Sequence, residues 1–127
     1  MNRVSSTATR SDHERICIIT ETLIDQKAAD ARSNARRREI HTFHQDDADP
    51  LQRMINAMQP ASYVRPHRHA NPPKAEGLLL LRGAVGFVAF DDNGRIDESG
   101  LVLLSRDSGN VGLDCRAGIW HTFFALE

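Results

Sequence analysis

Over the first fifteen residues polar and charged side chains dominate, and Val4 is the one large aliphatic residue after Met1. A stretch with so little apolar surface to bury predicts a disordered tail over 1–15. The run Ile16-Cys17-Ile18-Ile19 is β-branched and short, and it reads as a strand. Thr20 is placed to cap a helix that begins with Glu21, an acidic residue suited to a helix N-terminus. Leu23, Ile24, Ala28 and Ala31 fall on one face of that helix. The helix is expected to end in the basic stretch Arg32–Arg38, read as a solvated helix end.

From residue 40 the pattern changes to short β-type runs. Leu51–Met58, Ser62–His69, Gly77–Leu81, Val85–Phe90, Leu101–Leu104 and Ile119–Leu126 are the expected strands. Turn residues separate them: Gln59-Pro60, Asn71-Pro72-Pro73, Arg82-Gly83, Asp91-Asp92-Asn93-Gly94, Ser108-Gly109-Asn110 and Arg116-Ala117-Gly118. Many short strands at regular spacing predict a mainly β domain, a sandwich or barrel. The organisation read from the pattern is a tail over 1–15, a strand and helix over 16–45, and a barrel over 46–127. No internal repeat stands out, and no glycine-rich phosphate loop precedes a helix.

The segment richest in chemistry is Tyr63-Val64-Arg65-Pro66-His67-Arg68-His69, followed by Glu76. Side chains alternate across a strand, so His67 and His69 point to one face and two imidazoles can reach one ion. The Asn71-Pro72-Pro73 turn brings the next strand back with Glu76 at its start. His121, inside Ile119-Trp120-His121-Thr122-Phe123-Phe124, is the fourth candidate, because an imidazole in an apolar run needs a partner. Glu76 beside an apolar strand needs one too. A set of imidazoles and a carboxylate suits one divalent metal ion, Fe, Mn, Zn, Ni or Cu. By the same alternation Tyr63 and Arg65 are expected to face inward. Tyr63 is then the candidate for catalytic acid–base work, and Arg65, Lys74 and Arg53 are candidate substrate contacts. Trp120 alternates with His121 and is expected to point away from the metal.

These residues resemble the two cupin motifs. Ala61 through His67-Arg68-His69, Glu76 and Gly83 is similar to the first, in which a glycine precedes His-x-His, Glu and a second glycine. Arg116-Ala117-Gly118-Ile119-Trp120-His121 is similar to the second, Pro-x-Gly-x-x-His. More specifically, Asp49 to Met58, Tyr63 to His69, Pro72 to Glu76, Leu81-Arg82-Gly83, Phe90 to Gly94 and Gly118 to Thr122 resemble the WbuC-type cupin fold metalloproteins. The similarity runs from about Ile18 to Glu127. It implies a single-domain double-stranded β-helix, or jelly-roll barrel, with a short N-terminal helix, and metal ligation by His67, His69, Glu76 and His121. Ala61 stands where the motif has glycine, and Arg116 where it has proline. Six residues separate His69 from Glu76, more than in the commonest cupin spacing. The family pattern continues beyond the Trp-His segment, so the barrel is expected to lack its last C-terminal strand.

Composition narrows the functions. A net charge of -1 gives no reason to expect nucleic acid or a membrane surface as partner. No apolar run nears the roughly 20 residues that span a bilayer. Cys17 and Cys115 form no metal-type pair and read as small buried hydrophobes in a reducing, cytoplasmic setting. The first expectation is a divalent-metal-binding cupin acting on a small polar metabolite. The WbuC name comes from bacterial polysaccharide gene clusters, which suggests a sugar or sugar nucleotide. One alternative is a non-catalytic metal- or ligand-binding module. Another is a metal-free sugar-nucleotide epimerase or ketoisomerase, with the histidines as bases. A small-molecule ligand and a homodimer are the expected partners.

Overall fold

The computed structural model describes residues 1–12 and 15–127, and the chain divides into two compact units, Met1–Ser62 and Tyr63–Glu127. The described residues are mainly β, with one helix and several sheets, none closed into a barrel. No helix among them is long and apolar enough to cross a membrane.

The first unit holds β1 (Asn2–Ser5), β2 (Ala8–Arg10), α1 (Glu21–Ser33), β3 (Arg38–Thr42) and β4 (Met54–Met58). They form one sheet in the order β1-β2-β3-β4. β2 and β3 run parallel, which demands a long crossover, and α1 lies within it. The Thr20 hydroxyl accepts from the Leu23 N–H and caps α1 as expected.

Two expectations fail here. The segment read as a disordered tail supplies β1 and β2 (His13 and Glu14 lie outside the described residues). The run Ile16–Ile19 is not a strand, and Ile16 and Ile18 are 80% and 73% exposed. Apolar count misled in both places, because polar groups hold the N-terminal strands. Lys27, between Ile24 and Ala31 on the inner face of α1, is fully buried. Its ammonium donates to Glu39 Oε2 and Thr9 Oγ1, both at 3.0 Å, and to Asp30 Oδ2 at 3.3 Å. Arg3 of β1 donates to both Glu39 oxygens at 2.8 Å, and Asn34 donates to Oε1. An unpaired buried charge would be prohibitive, so β1, β2, α1 and β3 must assemble together around Glu39.

The network also sets the state of His41. Thr9 Oγ1 accepts from Lys27 and lies 2.9 Å from His41 Nδ1. The ammonium has no acceptor to offer, so the threonine proton is left for the Ile40 carbonyl, 3.5 Å away, or for Nδ1. Burial is the largest influence lowering the His41 pKa, followed by the charges of Lys27 and the N-terminus, against Asp12. For Glu39, burial is the largest single influence and pushes upward. The hydrogen bonds from Arg3, Lys27 and Asn34, with the Lys27 charge, outweigh it, and the pKa is lowered.

The second unit is all antiparallel: β5 (Glu76–Leu79) pairs with β8 (Gly112–Cys115), while β6 (Ala84–Phe90) lies between β7 (Ile96–Ser105) and β9 (Trp120–Ala125). Side chains of both sheets meet in one core: Phe87, Ala89, Val102 and Phe123 from one, Leu78, Leu113 and Cys115 from the other. The turn Asp91–Gly94 closes the β6–β7 hairpin, with Gly94 at φ 80°. β7 is longer than the expected Leu101–Leu104. The expected strand Ser62–His69 is absent apart from a single bridge at His67.

Two outcomes are expected of the first unit. Glu39 and His41 both have depressed pKa values in the folded chain. Each therefore adds stability that is present above its ordinary value and lost as pH falls through the folded value. Denaturant midpoints should drop as pH falls below 6.5, through His41, and again below 4.5, through Glu39. Ala61 has φ 75°, in a turn closed by Ser62 N–H to Gln59 O at 3.1 Å with Pro60 preceding it. That is the pattern of a type II turn, whose third residue favours glycine. Ala61→Gly should raise stability by about 1 kcal/mol in equilibrium unfolding.

Candidate metal centre

His67 and His121 form an antiparallel bridge, each N–H donating to the other's carbonyl at 2.9 Å. The bridge lays the 63–69 segment along the start of β9. The Thr122 hydroxyl extends this attachment by donating to the Val64 carbonyl. The His69 carbonyl then accepts from Lys74 N–H at 3.1 Å and from Gly118 N–H at 3.2 Å. It thereby draws together the loop before β5 and the turn before β9. Gly118 has φ 81°, a conformation that suits glycine and directs its N–H there. Glu76 opens β5, opposite Cys115 on β8. His121 lies on the core side of β9, 1% exposed, its ring stacked on Phe87 at 5.5 Å between centroids.

The result is one cluster: ligand atoms of His67, His69, Glu76 and His121 all lie within 4.8 Å of one another. Bonds of about 2 Å to a shared ion would set donors about 3–4 Å apart, close to this spread. Two of the imidazoles have their tautomers fixed. His67 Nδ1 lies 2.9 Å from the Arg65 carbonyl, and His121 Nδ1 lies 2.8 Å from the Ile119 carbonyl. Carbonyls only accept, so each Nδ1 carries hydrogen and each Nε2 presents a lone pair when the ring is neutral. His69 turns its Nε2 to Glu76 Oε1, and His121 Nε2 lies 3.2 Å from Glu76 Oε2. Both of these nitrogens are buried without an aligned hydrogen bond. A cation would satisfy them and the carboxylate together, so the donor set fits a divalent metal.

Electrostatics within the cluster point the same way. His121 is the largest influence lowering the Glu76 pKa, against burial, with His69 adding to it. The adjacent Glu76 carboxylate is the largest influence raising the His121 pKa, again against burial. Protons on the imidazoles thus stand where a cation would. The Cys115 thiol beside Glu76 is pushed up by burial first, then by the charges of Glu76 and Asp114.

The remaining candidates fall elsewhere. Tyr63 is 73% exposed and Arg65 is exposed. Residues 63–66 are not in a strand, so alternation does not carry these two inward. Lys74 is exposed in the loop before β5. Arg53 belongs to the first unit, where it donates to Asp49 at 2.9 Å and to the Phe43 carbonyl. There it lines a cavity of about 440 Å³ with Ser11, Phe43, Gln45 and Asp49, which contains none of the four metal-directed residues. Trp120 precedes His121 on β9, so strand alternation sets it on the other face, and the Arg68 guanidinium lies 4.9 Å from its ring centre. Cys115 is buried as expected, whereas Cys17 is exposed. Phe87, Gly118 and Thr122 also shape the site. Gly118 and Thr122 fall in the motif-like segment, whereas nothing in the sequence singles out Phe87.

The Glu76–His121 coupling yields a direct check. In metal-free protein, the His121 imidazole should titrate above the ordinary value of 6.5, and Glu76→Gln should bring it down. NMR titration of the ring protons reads both.

A family model described as a domain of unknown function (DUF6016) matches residues 19–102. The match takes in His67, His69 and Glu76 and stops before His121. No significant match is found to a curated protein or to a solved structure. Because the match covers well over half of its length, the chain belongs to the DUF6016 family.

Proposed function

We propose that this chain is a cupin-type metalloprotein of the WbuC kind, holding one divalent ion through His67, His69, Glu76 and His121. One observation carries the reading: the Nε2 atoms of His69 and His121 are buried, face Glu76 without an aligned hydrogen bond, and converge with that carboxylate and a third imidazole. The antiparallel second unit, with its two sheets packed through Phe87 and Cys115, supports a jelly-roll relationship as a proposal for the fold.

The site is open on one side. His121 is 2% exposed at its side chain, whereas His69 and Glu76 are 36% and 27% exposed. When bound, the ion would supply Lewis acidity toward a ligand oxygen. The chain's own contribution is orientation. The Arg65 and Ile119 carbonyls fix two imidazoles, Phe87 backs His121, and the His69 carbonyl anchors both neighbouring loops. The function proposed is action on a small polar metabolite such as a sugar or sugar nucleotide, in a cytoplasmic homodimer. The exposure of Tyr63 favours a second reading, a metal- or ligand-binding module without acid–base chemistry.

Elemental analysis of protein purified without chelator or affinity-tag metal tests the proposal. Wild type should carry close to one Fe, Mn, Zn, Ni or Cu per chain. His69→Ala should lose it while its circular dichroism is unchanged. Absence of metal, with no uptake of any of the five ions, would overturn the metal reading and return the histidines to acid–base roles.

A further inference from the structure

The two stretches that bear the metal-directed side chains, 63–76 and 115–122, are unbalanced in charge. They contain Arg65, Arg68, Lys74 and Arg116, and Glu76 is their one carboxylate. Glu76 is committed to the cluster, where it faces His69 and His121. The nearest further acid in sequence, Asp114, pairs in register with Gly77 and is one residue out of step with Glu76 and Cys115, so it projects to the other face of that sheet.

The backbone ties the segments that carry these cations to the ligand-bearing chain. Lys74 N–H donates to the His69 carbonyl, and so does Gly118 N–H, two residues after Arg116. His69 is the most exposed of the ligands whose side-chain exposure is 2%, 27% and 36% for His121, Glu76 and His69. Both loops therefore meet at the open side of the site. The Arg65 carbonyl fixes His67, and Arg68, between the two histidines, rests over Trp120 at 4.9 Å. Arg65, Lys74 and Arg116 are exposed, and no carboxylate lies within ion-pair distance of them among the described residues. Like charges left unpaired around one opening raise the local concentration of anions there. A protein with net charge -1 has no general excess of cations to place at random.

We infer that the ligand selected at the open side of the metal centre is a small oxyanion, a molecule presenting a carboxylate or phosphate, with Lys74 and Arg116 as its charge partners. The inference rests on the metal reading and adds the substrate class. An anionic oxygen meets the ion while the flanking cations neutralise what the ion does not. Neutral sugars, lacking a charged group, gain nothing from the rim.

The test uses full-length protein loaded with Co(II), whose visible absorption reports its coordination. Inorganic phosphate, succinate and neutral glucose are titrated in turn against wild type and against Lys74→Ala/Arg116→Ala, with cobalt content measured for each. Phosphate or succinate should shift the cobalt spectrum saturably and glucose should not; the anion that binds more tightly identifies the charged group. In the double variant cobalt content should be unchanged and anion affinity about tenfold weaker, the scale of two exposed ion pairs. Cobalt uptake with anion affinity equal in both proteins, or with glucose binding as well as the anions, would overturn the inference and leave the metal site standing. Failure to take up cobalt or any of Fe, Mn, Zn, Ni and Cu would overturn both.

Discussion

The bridge between His67 and His121 is the constraint on which the second unit's chemistry depends. Its two reciprocal hydrogen bonds bind an otherwise irregular segment to the edge of β9. Without it, 63–69 has no ladder to hold it, because these residues form no strand of their own. With it, one histidine is set directly opposite another that lies more than fifty residues later. The carbonyl of the next ligand, His69, becomes the acceptor for two loops. An open β-structure cannot rely on barrel closure to bring ligands together. Here, local backbone pairing does that work at the point where the metal-directed atoms converge.

The first unit solves a similar problem with charge in place of backbone. Its N-terminal strands offer little apolar surface, yet they are fixed by a buried lysine and a buried glutamate on neighbouring elements. The pair is costly to desolvate, and Arg3, Thr9, Asp30 and Asn34 offset that cost by satisfying its remaining donors and acceptors. Arg3, Thr9, Lys27, Asn34 and Glu39 come from β1, β2, α1, the end of α1 and β3, so a single hub specifies the order of the sheet. His41, hydrogen-bonded to Thr9 at the hub's edge and with its pKa lowered first by burial, extends the hub with a group that resists adding charge.

These two solutions explain what could be read in the sequence. Strands that bury an apolar face, β6 and β9, were visible within a residue of their ends, because alternation and turn chemistry agree there. The cap of α1 was visible from Thr20. The metal-directed residues were visible because His-x-His, Glu and a distant His keep motif spacing. β1 and β2 were invisible, since nothing in polar runs announces a buried partner such as Lys27. Lys27 itself sits among Ile24, Ala28 and Ala31, and periodicity alone assigns that face to apolar residues. Tyr63 and Arg65 were misplaced by assuming strand geometry where one bridge and a loop carry the chain.

The arrangement of the cluster also bears on what can occupy it. Three imidazoles and one carboxylate within a few ångströms cannot all be protonated without mutual repulsion, and cannot all be neutral without leaving Glu76 uncompensated. The raised His121 and lowered Glu76 pKa values describe a proton serving as counter-charge. A divalent ion would do the same with one centre, and the Nδ1 hydrogen bonds of His67 and His121 would be left intact. Because those hydrogen bonds are already made to backbone carbonyls, the rings need no change of tautomer to receive it. The protein side is therefore prepared, and the more exposed ligands, His69 and Glu76, lie beside the loops that the His69 carbonyl ties together.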